Sequence, residues 1–180
     1  MQKSALGKTI TRFSLAALAL LVQVHAAVSA EDTRPFRIIV LPDTQIYSLR
    51  HPELFVAQTQ WIQKQKDFLN IACVIHEGDI THLNTEAEWK VADRAMSLLD
   101  GVAPYCMVLG NHDLDTRGTA QTRDAALFNE FFGPQRFEER PWYGEHFEGG
   151  NENAYYLISA GGQDFLILCL EFGPRDEILA

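Results

Sequence analysis

The sequence predicts an α/β fold built on a parallel sheet. Three observations carry that expectation. Short apolar runs at 36–41, 71–75 and 105–109 are each too short for a helix and too continuous for a half-exposed strand, so they read as buried strands. Helically spaced segments lie between them, giving strand–helix–strand–helix–strand, which demands right-handed crossovers and a parallel sheet. Finally, a short polar cluster follows each run: Asp43-Thr44-Gln45, Gly78-Asp79 and Gly110-Asn111-His112-Asp113. Open α/β sheets gather their chemistry at the carboxyl ends of their strands.

The first run is bounded by Pro35 and Pro42 and reads as a central strand. Leu54, Ala57, Trp61, Ile62, Phe68 and Leu69 then recur at helical spacing, with Pro52 near the start. After the second run, Thr85-Glu86-Ala87-Glu88 has the form of a capping box, and Trp89, Ala92, Ala95, Met96 and Leu99 continue the helix it opens. Beyond Asp113 the pattern changes. Residues 124–132 read as a short helix ending at Gly133-Pro134, and 138–153 as a loop containing Pro141-Trp142-Tyr143. Residues 154–159 and 164–170 read as strands of a hairpin. Residues 176–180 read as the first turn of a helix with no stop signal, so the chain is expected to end in mid-element. No internal repeat, low-complexity tract or domain linker stands out.

Residues 1–30 have the form of a secretory signal peptide. Lys3, Lys8 and Arg12 precede the apolar run 13–22, and Val28-Ser29-Ala30 is a small-x-small site with cleavage expected before Glu31. Gln23 and His25 interrupt the apolar run, leaving it too short for a stable membrane anchor. Export to the periplasm or the extracellular space follows as an expectation. The domain proper is 31–180. It holds all 24 acidic residues and is more acidic than the whole chain's formal charge of −9, so it offers no nucleic-acid footprint. Cys73, Cys106 and Cys169 fall in predicted strands and read as buried thiols; export would permit one disulfide, Cys73–Cys106 if their strands are neighbours. Nothing in the sequence sets the oligomeric state.

Each polar cluster alone is an ordinary turn. Their recurrence after three successive strands is what an ordinary turn does not require. The donors are hard oxygens with one imidazole, suited to divalent cations and a phosphate. Two cations held close together need a bridging carboxylate, and Asp79 is placed for that; Asp43 and Gln45 would serve one metal and the Asn111 amide oxygen the other. His112 follows Asn111 directly and could protonate a leaving alkoxide.

These three clusters, in this order, resemble the first three motifs of the calcineurin-like metallophosphoesterases, Asp-x-His, Gly-Asp and Gly-Asn-His-Asp/Glu. The resemblance implies a layered αββα sandwich and a metal-dependent hydrolase of phosphate mono- or diesters, using a hydroxide activated by two divalent metal ions. It implies Asp43, Gln45, Asp79 and Asn111 as metal ligands and His112 as the catalytic residue. Two departures stand out. Gln45 replaces the first-motif His, which favours Mn²⁺, Mg²⁺, Ca²⁺ or iron over Zn²⁺. The family's later Gly-His and Gly-His-x-His motifs are absent, so the chain is expected to be the N-terminal part of such a domain, truncated after its first half. The alternative is a non-catalytic fragment with weak or no metal binding, and a secreted carbohydrate- or protein-binding module is a third reading. Residues 31–180 alone are expected to be poorly soluble, to bind Mn²⁺ weakly and to hydrolyse phosphate esters at background.

Other residues could support the centre. His76 could stand behind a ligand or pack the strand end, His82 could support a ligand or lie in an exposed turn, and Asp113 could orient a ligand from behind. Glu171 could approach the site or form a cap or salt bridge. Arg117, Arg123 and Arg140 could bind a phosphate or lie on the solvated surface. Trp142-Tyr143 could line a cleft or pin its loop.

Overall fold

The computed structural model describes residues 33–180; the leader expected at 1–30 lies outside the described residues. The strands β1 (Arg37–Leu41), β2 (Ile71–His76) and β3 (Tyr105–Met107) form a parallel sheet in the order β1-β2-β3. The helices α1 (Gln45–Arg50), α2 (Pro52–Gln65), α3 (Glu86–Met96) and α4 (Ala126–Phe132) accompany it. Phe55 and Ile62 of α2, Trp89, Ala92 and Met96 of α3, and Phe128 and Phe132 of α4 share one core with Leu41, Ile71, Val74 and Tyr105. Each crossover is a helix because parallel neighbours cannot be joined by a tight turn.

A second sheet, β4 (Tyr143–His146), β5 (Ala154–Ala160) and β6 (Gln163–Cys169), is antiparallel. It meets the first across Cys106, Ala154, Tyr156 and Cys169, with Trp142 and Ile167 packed against them. The result is an α/β architecture of helix layer, parallel sheet and antiparallel sheet, consistent with a metallophosphoesterase-type fold. The outer face of the second sheet carries Leu157, Leu166 and Leu168 exposed. The final turn is α5 (Asp176–Leu179). Among the described residues no helix is long and apolar enough to cross a membrane.

Several expectations need correction. The first strand, expected to be central and buried, lies at the edge of its sheet among the described residues, with Ile38 and Val40 exposed. The third strand is three residues long and ends at Met107, so residues 108–109 belong to the loop that leads into the Gly110 cluster. A short helix, α1, begins at Gln45 itself, directly after Asp43-Thr44, which the sequence reads as a turn able to cap a helix; His51 and Pro52 break it from α2. The segment 138–153 is not all loop, because β4 pairs with β5 through a register shift between Tyr143 and Glu145 that hides the alternation. Trp142 packs beside Tyr105, Phe137 and Tyr156, so it pins the segment into the core. All three cysteines are free and buried. The register sets Cys106 against Ile75, two residues along β2 from Cys73, and so does not put Cys73 and Cys106 opposite one another. Burial pushes the Cys73 thiol up to about 11.

Candidate metal centre

The carboxyl ends of β1, β2 and β3 lead into three loops, and buried hydrogen bonds tie these loops to one another. The first loop is fastened by Thr44, which is fully buried. Its amide donates to the Asp79 carbonyl at 3.1 Å. Its hydroxyl lies 2.9 Å from His76 Nε2 and 3.3 Å from the Ile80 carbonyl. Gly78 N–H donates to His76 Nδ1, so that nitrogen is bare and the proton sits on Nε2, which donates to Thr44 Oγ1. The Thr44 hydroxyl then donates its own hydrogen bond to the Ile80 carbonyl. Complete burial lowers the His76 pKa to about 4, keeping the ring neutral as this chain of donors requires. Ser48 of α1 adds a further bond to the Ile80 carbonyl at 2.6 Å.

The second and third loops are stapled by Asp113. Its buried carboxylate accepts from Ile80 N, Thr81 N, Thr81 Oγ1 and Gly110 N at 2.8–3.0 Å. Burial pushes its carboxyl up to about 6, while these donors pull the other way. A Cβ on Gly110 would overlap the Asp79 carboxylate and amide, so only glycine lets the third loop close on the second. Asp79 itself sits at φ +47°, a left-handed conformation that costs free energy and persists because its neighbours enforce it.

The candidate residues form one connected set. His112 N–H donates to Asp79 Oδ1 at 3.1 Å, and His112 Nδ1 donates to the His82 carbonyl at 2.8 Å. The His82 and His112 rings stack, with centroids 5.0 Å apart and planes 17° apart. His82 Nδ1 is 2.7 Å from Gln45 Oε1. Gln45 in turn donates from its amide N and from Nε2 to the two oxygens of Asp43, at 2.8 and 2.7 Å. Asn111 Nδ2 donates to the Gly118 carbonyl. Among the described residues nothing donates to Asp79 Oδ2 or Asn111 Oδ1, so these two acceptors are left open.

The remaining candidates lie behind this set or away from it. His76 stands behind Thr44, and Asp113 beneath Gly110. Glu171 pairs with Arg123 at 3.2 Å and Arg175 at 2.9 Å, and Arg123 also donates to the Phe172 and Gly173 carbonyls. Arg140 lines a cavity of about 240 Å³ with Asp100, Tyr105 and Trp142, at the amino end of β3 and so at the opposite edge of the sheet. Arg117 is exposed.

Sequence reasoning passed over two organisers of this region. Gly118, at φ +66°, lies so close to His112 that a Cβ there would fall 2.6–2.8 Å from three ring atoms. Asp115 shapes the loop that carries Gly118, accepting from Arg117 N, Thr119 N, Thr119 Oγ1 and Gln121 N. The Thr119 hydroxyl, together with the backbone donors, holds the Asp115 carboxyl well below its usual range. Asp115 with Gly118 three residues on is a turn signal, but nothing in it announces that the turn closes on His112.

The donor set has the character a hard divalent cation needs: two carboxylates, two amide oxygens and open lone pairs on Asp79 and Asn111. It is a mixed set. Among the described residues no group of three or more His, Cys, Asp or Glu side chains is arranged to hold a metal ion.

The chain is similar to known proteins over nearly its whole described length. The family model described as calcineurin-like phosphoesterase matches residues 36–177, nearly all of the described chain. The uncharacterized protein YvnB of Bacillus subtilis (strain 168) is 36% identical over 148 residues, covering 81% of this chain and 11% of that relative.

Proposed function

The chain belongs to the calcineurin-like phosphoesterase family, and from that premise we propose that it carries the metal-dependent centre of a hydrolase of phosphate mono- or diesters. The observation that supports this most is the link from Asp79 to His112: the open Oδ2 of Asp79 and the ring of His112 belong to one pinned unit. Asp43 and Gln45 would hold one divalent cation, Asn111 another, and Asp79 would be shared between them. Such cations, when bound, supply positive charge to the phosphoryl oxygens and lower the pKa of water.

The chain's own residues set up the rest. His112 Nδ1–H is committed to the His82 carbonyl, so Nε2 is the nitrogen left for a substrate. Protonated there, it can hand a proton to the leaving alkoxide. Its backbone N–H on Asp79 Oδ1 keeps the ring and the shared carboxylate in fixed relation, which leaves little geometry to organise at the moment of reaction. Gln45 in the first loop favours Mn²⁺, Mg²⁺, Ca²⁺ or iron over Zn²⁺. The leader read in residues 1–30 puts the reaction outside the cytoplasm, and N-terminal sequencing of the exported protein should begin at Glu31.

The test is hydrolysis of p-nitrophenyl phosphate and bis(p-nitrophenyl) phosphate by the full-length protein with Mn²⁺ added. Turnover should disappear with a chelator and with Asp79→Asn. Equal rates with and without Asp79 would contradict the proposal.

A further inference from the structure

The Gln45 amide has two unlike ends, and only its oxygen can face a cation. A half-turn about its last torsion exchanges them. Asp43 accepts only, so the Nε2 end must face Asp43, as it does at 2.7 Å. At the other end Oε1 has one neighbour, His82 Nδ1, at 2.7 Å. A carbonyl cannot donate, so this nitrogen carries the proton and His82 Nε2 carries the lone pair. The same reasoning applies to His112, whose Nδ1 faces a carbonyl. Two parallel imidazoles therefore hold the same tautomer, each fixed by a different acceptor.

His82 is itself held by the helix that follows it. Glu88, buried at 3% exposure, accepts from His82 N at 2.9 Å, from Leu83 N and from the Thr85 amide and hydroxyl. The capping box at the start of α3 is thus also the anchor of the second loop. His82 is half-buried, pinned by its backbone and packed against the ring that the proposed chemistry uses.

Resting on the reading of this region as a cation centre, we propose that His82 is a positioning residue: its Nδ1–H holds Gln45 Oε1 opposite the Asp43 contact, so that the amide is clamped at both ends, and its ring fixes the plane of His112. The two duties separate by substitution. His82→Asn keeps a donor for Gln45 Oε1 and removes the ring. His82→Phe keeps the ring and removes the donor.

In the full-length protein without metal, ¹⁵N relaxation should find the Gln45 side-chain amide rigid in the unsubstituted and His82→Asn forms and mobile in His82→Phe. Loss of a hydrogen bond to a ligand costs about tenfold or more in metal affinity, so Mn²⁺ should bind about tenfold more weakly to His82→Phe and nearly normally to His82→Asn. Loss of the stacked ring should instead lower kcat for p-nitrophenyl phosphate by about three- to tenfold in His82→Asn at saturating Mn²⁺. Gln45→Glu offers two equivalent oxygens, so adding His82→Phe to it should leave Mn²⁺ affinity unchanged. Long-range ¹⁵N–¹H correlation on the unsubstituted protein should find both rings protonated at Nδ1. A rigid Gln45 amide in His82→Phe, equal losses in both variants, or an Nε2–H tautomer at His82 would overturn the assignment. Absence of Mn²⁺ binding in the unsubstituted protein would instead contradict the cation centre, with the amide relaxation and the tautomer still deciding the role of His82.

Discussion

The two halves of the candidate centre are built differently. Asp79 and Asn111 sit in loops locked together by Asp113, by the fit of Gly110 and by the backbone N–H of His112. Their remaining acceptors are open. Asp43 and Gln45 satisfy each other, with both Asp43 oxygens taken up by the Gln45 amides. The first half is set by backbone donors of neighbouring loops. The second must surrender the Gln45 Nε2 bond if Asp43 is to present both oxygens. Preorganisation and self-satisfaction of the same residue types therefore differ in what a cation has to displace.

The sharpest way to break this contrast is Asp113→Ala. It strands three backbone N–H groups and a hydroxyl in the interior, and unsatisfied buried groups of this kind should destabilise the fold by about 3–5 kcal/mol in chemical denaturation. A loss below about 1 kcal/mol would mean that the two loops are not one unit. His112→Ala comes next. It removes a side chain but keeps the backbone N–H on Asp79, so kcat should fall by about 10²–10⁴ with metal content intact. Loss of the metal in this variant would show that the ring, and not the backbone, holds the stapled half. Gly118→Ala is milder. A methyl group against the imidazole, at a backbone angle that disfavours alanine, should shift the ring and cost about tenfold in kcat. The smallest effect belongs to the self-bonded half. Gln45→His should alter stability by less than about 1 kcal/mol and move metal preference toward Zn²⁺ or iron. An unchanged preference in reconstituted protein would argue that Gln45 is not a ligand.

The same division governs what the sequence could disclose. Strand runs bounded by prolines, the Thr85–Glu88 capping box and the recurrence of polar clusters after strands are local signals, and the parallel sheet followed from them. β4 was not legible because a register shift at Tyr143 and Glu145 breaks its alternation. Gln45 looked like turn chemistry because a six-residue helix buries only Ser48 and leaves no periodic pattern. Within the site, Asp43, Asp79, Asn111 and His112 were visible as residue types at strand ends. The contacts of His82 and Gly118 were not: those of His82 join residues 30 or more apart in the chain, and those of Gly118 depend on how its loop folds back on Asn111 and His112. Glu171 follows an apolar run as the others do, yet it is committed to Arg123 and Arg175.

Mn²⁺ titration of the full-length protein, read by electron paramagnetic resonance or calorimetry, tests the cation centre most directly. The unsubstituted protein and His112→Ala should show saturable Mn²⁺ binding, and Asp79→Asn should lose it while keeping its thermal transition. Undiminished Mn²⁺ binding by Asp79→Asn would contradict the assignment of Asp79 as the shared ligand and, with it, the metal-dependent centre.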